Sequence, residues 1–143
     1  MRKKRVFVDS SVIIAAMFSP TGGSSLILAD QRGLFAFETN EYAITEMKEA
    51  FLKKFKDESL EGKMFTLIGL SNIRILANPN PGMVSRINKY VPDNDATILA
   101  SAMIHSDYLL TLDNGFFKDL VIKFSQKHGV TILKPKDLIE SLK

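Results

Sequence analysis

Residues 5–9, RVFVD, make an apolar run of strand length that stops on a carboxylate, and residues 10–18, SSVIIAAMF, follow at once as an apolar run of helix length. A strand that is apolar on both sides has no face for water, so it belongs inside a sheet covered by helices above and below. The same alternation recurs along the chain. SPTGG (19–23) is a turn, Ser24 caps a helix through SSLILADQRG that stops at Gly33, and LFAFET (34–39) reads as a strand. From Asn40 to Phe55, Ile44, Met47, Phe51 and Phe55 recur at helical spacing. Lys53, Lys54 and Lys56 gather at the end of that stretch, where a helix favours cations.

Residues 57–70 continue as an amphipathic helix, NIRILA (72–77) is a strand, and NPNPG (78–82) breaks the chain. A further helix spans 83–90. Pro92 and Asp93 then open a helix with the buried stripe Ile98, Leu99, Ala102 and Met103, and YLLTL (108–112) is a strand ending at Asp113. A helix over about 118–127, Gly129, the strand VTIL and a last helix begun by Pro135 complete the pattern. Strands alternating with helices across short connections predict an α/β fold, a three-layer α/β/α arrangement with a mostly parallel central sheet. No repeat or linker interrupts it, and 143 residues suit one domain, 1–143.

Composition removes several function classes. With 45% hydrophobic and 24% charged residues the chain is not disordered. The absence of cysteine excludes disulfides, thiolate metal ligands, iron–sulfur clusters and a cysteine nucleophile, and is compatible with a cytoplasmic location. Basic Met1–Arg5 before an apolar stretch has the outline of a signal peptide, but Asp9, Ser10 and Ser11 cut the apolar run and no A-x-A-like site follows. The start is therefore read as folded protein. No run reaches membrane-spanning length, so no membrane partner is expected. A net charge of +3 leans weakly towards a polyanionic partner.

In open parallel sheets, ligands bind beyond the carboxyl ends of the strands. Asp9 and Asp113 each end a strand, Asp95 lies in the first turn of the helix before the second of these strands, and Glu46 sits beside the apolar stripe of the 40–55 helix. Singly, each has an ordinary reading: Asp9 as a helix cap, Asp95 or its neighbour Asp93 as an acid complementing a helix dipole, Asp113-Asn114-Gly115 as a turn, and Glu46 as a solvated residue. Together they are harder to dismiss. Two carboxylates about 4 Å apart repel by roughly 4 kcal/mol at an effective dielectric near 20. A divalent cation offsets that repulsion, and an acid-rich oxygen donor set without cysteine suits Mg²⁺ or Mn²⁺.

Three stretches in order resemble the four motifs of PIN-domain nucleases, the family of VapC-like toxins and many archaeal and bacterial RNases. VFVDSSVIIAAMFSPTGGSSLIL is similar to the family's opening strand, with the first acid at Asp9. ITEMKEAFLKKF resembles the second motif, with Glu46 as its acid, and DNDATILASAMIHSDYLLTLD the third and fourth, with acids at Asp95 and Asp113 and a hydroxyl at Thr111. The resemblance covers nearly the whole chain and implies a metal-dependent ribonuclease. Asp9, Asp95 and Asp113 would hold Mg²⁺ or Mn²⁺, with Glu46 as a fourth catalytic acid. Ser10 and Thr111 would orient carboxylates or phosphate. RNA is the implied substrate, and an antitoxin protein and a second copy of the chain are the implied partners. Where many members carry Asn, two places after the first acid, this chain has Ser11; Asp93 and Glu49 are alternative positions for the third and second acids.

Other readings carry less. His105 and His128 are assigned structural places, and no G-x-S-x-G elbow supports a serine hydrolase. Lys3, Lys4, Lys53, Lys54, Arg86 and Lys89 are candidates to follow a phosphate backbone, each against the plainer reading of a solvated surface charge. A phosphoacceptor receiver domain would account for Thr111 and Lys134-Pro135, but it needs an acid pair after the first strand and an acceptor Asp after the third, where ILANPN has none. A PIN fold without turnover, serving as an RNA or protein contact, is the remaining alternative.

Overall fold

The computed structural model describes residues 2–143; Met1, the first residue of the basic N-terminal stretch, lies outside them. Strands β1 (Lys4–Val8), β2 (Phe35–Asn40), β3 (Arg74–Leu76), β4 (Tyr108–Leu110) and β5 (Thr131–Leu133) form one sheet in the order β3-β2-β1-β4-β5. Every neighbouring pair is parallel, with Val6 of β1 opposite both Phe37 and Tyr108. The helices are α1 (Ser10–Phe18), α2 (Gly23–Ala29), α3 (Glu41–Lys53), α4 (Ser59–Leu70), α5 (Pro81–Ile87), α6 (Asp93–His105), α7 (Asp119–Lys127) and α8 (Pro135–Ser141).

Successive side chains of a strand point to opposite faces, and β1 feeds both cores. Val6 and Val8 pack on one face with Val12 and Ile13 of α1, Leu28 of α2, Met47 and Phe51 of α3 and Met64 of α4. Phe7 packs on the other with Ile87, Ile98, Leu99 and Val121 from α5, α6 and α7. Val6, Phe7 and Val8 have no exposed surface. A fully buried side chain of this size contributes about 1.5–3 kcal/mol, so the central strand is the segment the fold can least lose. The result is the expected three-layer α/β/α arrangement, with the sheet parallel throughout.

Several elements end sooner than periodicity suggests, each for a local reason. The helix expected to stop at Gly33 ends at Ala29, because Asp30 takes a left-handed φ of 43°. Its carboxylate then accepts from the Leu34 and Phe35 N–H groups at 2.8 and 3.1 Å, which pins the start of β2. β3 begins at Arg74 rather than residue 72, since Asn72 is left-handed (φ 55°) and the Ile73 N–H turns back to the Ile68 carbonyl at 3.0 Å, closing α4. β4 stops at Leu110 because the Leu112 and Asp113 N–H groups are taken by side-chain oxygens of Ser11 and Thr111. Among the described residues no single helix is long and apolar enough to cross a membrane; α1 and α2, apolar together, are bent by 102° at their junction.

Candidate functional site

From β1 the chain builds outward to β2 and β3, then returns to place β4 on the other side of β1. Such a reversal leaves a crevice beyond the carboxyl ends of the two strands at which it occurs. Asp9 follows β1 directly, and its N–H still pairs with the Leu110 carbonyl of β4 at 3.0 Å. Its side chain caps α1, as the plain reading of the sequence had it, and does more. Oδ1 accepts from the Ser10 N–H at 2.9 Å, and Oδ2 accepts from the Ser11 hydroxyl at 2.8 Å and the Thr111 hydroxyl at 2.7 Å.

Those two hydroxyls also accept, from the Leu112 N–H at 3.0 Å and the Asp113 N–H at 3.0 Å. Each therefore uses its one proton on Asp9 and its lone pairs on the segment leading to Asp113. The Ser11–Thr111 contact of 3.4 Å is left without a proton of its own. Asp9 is only 5% exposed. Burial pushes its pKa up against the three hydrogen bonds, and the charge of Asp113 adds to the push.

Asp113 stands three residues past β4, not at its end as expected, and is exposed. Its Oδ1 accepts from the Gly115 N–H at 2.9 Å, capping a 3-10 turn over Asn114–Phe117, so the turn reading of Asp-Asn-Gly also holds. Asp95 approaches the same glycine from the first turn of α6. A methyl group on Gly115 would lie 3.3 Å from both Asp113 Oδ1 and Asp95 Oδ2, which places the two carboxylates against one small residue. Glu46, in α3, is half-buried and faces them. Its pKa is pushed up to about 7 by burial and then by the charges of Asp9, Asp95 and Asp113. Asp95 is pushed up to about 6 by burial, Asp113 and Asp9, with Lys118 acting the other way. The phenol of Tyr42 is raised by burial and by Glu46, Asp95, Asp93 and Glu49.

Elsewhere in the sheet, β2 shows what the fold does with a buried acid it neutralises, using partners from the amino-terminal side of β1, β3 and β4. Glu38 of β2 is 2% exposed. It accepts from Arg5 Nε and Nη2 at 3.1 and 2.8 Å, from Arg74 Nη2 at 2.9 Å and from the Ser106 hydroxyl at 3.0 Å. Two guanidinium groups thus face one carboxylate. Among Asp9, Glu46 and Asp95 the only cation with a resolved effect is Lys118, on Asp95 alone. Lys118 apart, no cation offsets the charge of these three acids as two guanidinium groups offset Glu38.

The donor chemistry at that edge fits a hard divalent cation: oxygen ligands, strong mutual repulsion and no cysteine or histidine. Among the described residues, however, no three acids stand close enough as a group to share one ion. The carboxylates share an electrostatic field rather than a formed coordination shell. Of the alternative acids, Glu49 and Asp93 are both exposed. Ser10 contributes its backbone N–H, and the hydroxyl that works beside Thr111 is that of Ser11, the position where the sequence departs from the resembled family.

Asn40 was not legible as a site residue. It is fully buried, its Oδ1 accepts from the Ala43 N–H at 2.9 Å to cap α3, and its Nδ2 donates to the Ser101 hydroxyl of α6 at 2.7 Å. It thereby ties together the helices that carry Glu46 and Asp95. A buried polar residue at a strand end is the signal that could have found it. His105 ends α6 and the His128 ring bonds the Phe124 carbonyl at 2.9 Å; neither joins the acids. The receiver reading fails on topology, since that fold runs 2-1-3-4-5 with the third strand central, whereas β3 here is an edge strand. Lys134-Pro135 is a helix start, with the Asp137 carboxylate accepting from the Lys134 N–H at 3.3 Å.

No family model matches the chain, and no curated protein matches it by sequence. Solved structures do match. VapBC2 from Rickettsia felis, solved bound to a DNA fragment from their promoter, superposes with a TM-score of 0.65 at 13% identity, over 91% of this chain and 98% of its own. PAE2754 from Pyrobaculum aerophilum gives 0.62 at 18% identity, over 97% and 89%, and FitAcB from Neisseria gonorrhoeae 0.61 at 20%, over 92% and 98%. At such identities the likeness speaks for architecture, and the architecture is a PIN-like fold, a three-layer α/β/α sandwich on a five-stranded parallel sheet.

Proposed function

We propose that this chain is a divalent-metal-dependent ribonuclease that hydrolyses RNA phosphodiester bonds by in-line attack of water. The observation that carries the reading is the acidic cluster at the β1–β4 switch point, which only Lys118 offsets, set against Glu38, which two guanidinium groups neutralise. Asp9, Asp95 and Asp113 would hold the cation, Mg²⁺ or Mn²⁺. When bound, such an ion lowers the pKa of a coordinated water and offsets charge building on the scissile phosphate. Thr111 and Ser11 hold Asp9 in one orientation, and the Asp113 N–H is held through Thr111, so two acids from distant segments keep a fixed relation. Glu46, pushed up to about 7 by burial and the neighbouring acids, would accept the proton of the attacking water.

The reading extends to partners. VapBC2 and FitAB were solved as complexes on DNA, which supports an antitoxin protein as partner of this chain and a toxin–antitoxin role in the cytoplasm. A homodimer is proposed on the family resemblance alone. One observation favours a second reading, a PIN fold that binds RNA or protein without turnover: among the described residues no three acids form a group able to take one ion as they stand. Cleavage of end-labelled single-stranded RNA separates the two. Activity with Mn²⁺ that EDTA stops and Asp9→Asn removes supports the nuclease; RNA left intact, or an equal rate in Asp9→Asn, refutes it.

A further inference from the structure

An RNA substrate carries phosphates, and a pocket of carboxylates repels them. The chain's net charge of +3 hides how unevenly its charges lie. A groove of about 480 Å³ between α5 and α7 is lined by Arg86, Lys89, Lys123 and Lys127, together with Tyr90, Phe124, Leu120 and His128, and by no acid. None of the four cations makes an ion pair among the described residues. On α7, Leu120, Lys123, Phe124, Lys127 and His128 recur at three- and four-residue steps, so they occupy one face. Tyr90 and Phe124 stack with centroids 4.3 Å apart at 21°, and His128 meets Phe124 edge-on at 4.5 Å. Tyr90 is nevertheless 45% exposed; with Phe124 stacked on one ring face, that exposure leaves room for a base against the other.

We infer that this groove binds single-stranded RNA, its lysines and arginine on the phosphates and the open face of Tyr90 beneath a base. Cations interleaved with an exposed aromatic platform are the chemistry of single-strand binding. An acidic peptide would use the cations but leave the aromatic face idle. The connection to the acids is short: Tyr90 leads through Val91 and Pro92 into the first turn of α6 that carries Asp95, and α7 begins just after the turn that Asp113 caps. From Leu120 to His128 the face extends about 12 Å at helical rise, enough for three or four stacked nucleotides. A strand held there is delivered to the acidic edge by cations that the edge, Lys118 apart, lacks. This inference rests on the ribonuclease reading for its purpose, though not for its test.

The test is fluorescence anisotropy with a fluorescein-labelled 20-nucleotide single-stranded RNA in EDTA, so that binding is read without cleavage. Tyr90→Ala is expected to weaken binding about tenfold. Each of Arg86→Ala, Lys89→Ala, Lys123→Ala and Lys127→Ala is expected to lower the slope of log affinity against log salt by about 0.7. All five positions are exposed, and an unchanged melting temperature confirms that the variants fold. Hydrolysis of bis(p-nitrophenyl) phosphate with Mn²⁺, a diester too small to reach the groove, reports on the acids separately and is expected to be unaltered. RNA affinity and salt slope unchanged in all the variants overturn the groove even if the small diester is cleaved. Groove-dependent binding with end-labelled RNA left intact in Mn²⁺ upholds the groove and removes the nuclease. Polyglutamate binding as tightly as RNA, with no loss in Tyr90→Ala, would assign the surface to an acidic protein instead and overturn the proposal.

Discussion

The hydroxyl of Thr111 donates to Oδ2 of Asp9 at 2.7 Å, joining the ends of β1 and β4 across 102 positions of sequence. The same oxygen accepts from the Asp113 N–H, so one side chain fixes the relation of two acids. Replacing it with an isosteric apolar residue removes a bond to a buried carboxylate and orphans an N–H. Thr111→Val is expected to cost about 1–3 kcal/mol in urea unfolding, with Thr111→Ser near wild type. RNA cleavage is expected to fall in the valine variant by more than its loss of folded protein explains.

Without a bound cation, the acidic edge makes stability depend on pH in a direction opposite to most carboxylates. Glu46 rises from 4.5 to about 7 and Asp95 from 3.8 to about 6 on folding. Between those values the folded state holds more protons than the unfolded one, so stability is greatest below the unfolded pKa values and declines as pH climbs through the folded ones. In EDTA the melting temperature is expected to fall from about pH 4.5 to about pH 7 through these two groups. Glu46→Gln should flatten the upper part of that decline, and differential scanning calorimetry across the range checks it.

Glu38 gives the converse case. Its two arginines and the Ser106 hydroxyl are satisfied by one carboxylate. Both arginines keep some exposure, so losing the acid leaves charges that water can reach. Glu38→Gln is expected to destabilise by about 1–3 kcal/mol while cleavage per folded molecule is unchanged. A loss of activity without a loss of stability would show that Glu38 and the acids at the carboxyl edge are not independent.

What the sequence disclosed followed from periodicity and covalent order. β1 and Asp9 were legible because an unbroken apolar run that stops on a carboxylate has few explanations. Parallel topology pointed to Asp9 and Asp113 at one edge, whereas Glu46 and Asp95, whose charges act on the same region, were reached through the family resemblance. The details that escaped depend on partners far along the chain. Glu38, Thr39 and Asn40 end a strand as three consecutive buried polar residues, and what makes that tolerable is Arg5, Arg74 and Ser106 for the first, the Val8 carbonyl for the second and Ser101 for the third. No local pattern names those partners. The displacement of Asp113 from the end of β4 has the same origin, since Ser11 and Thr111 take the N–H groups that a longer strand would have used. Ser11 itself was noted for the amide it replaces, whereas its hydroxyl is what holds Asp9.

A divalent cation that offsets the acids at the carboxyl edge of the sheet stands at the centre of the proposed function. Calorimetric titration of Mn²⁺ into the metal-free protein at pH 8, beside Asp95→Asn, tests it most directly. The expected result is saturable binding that Asp95→Asn weakens by at least tenfold, while that variant, relieved of a repelled carboxylate that makes no side-chain hydrogen bond among the described residues, melts above wild type in EDTA. Absence of binding, or equal binding in the variant, would contradict the account.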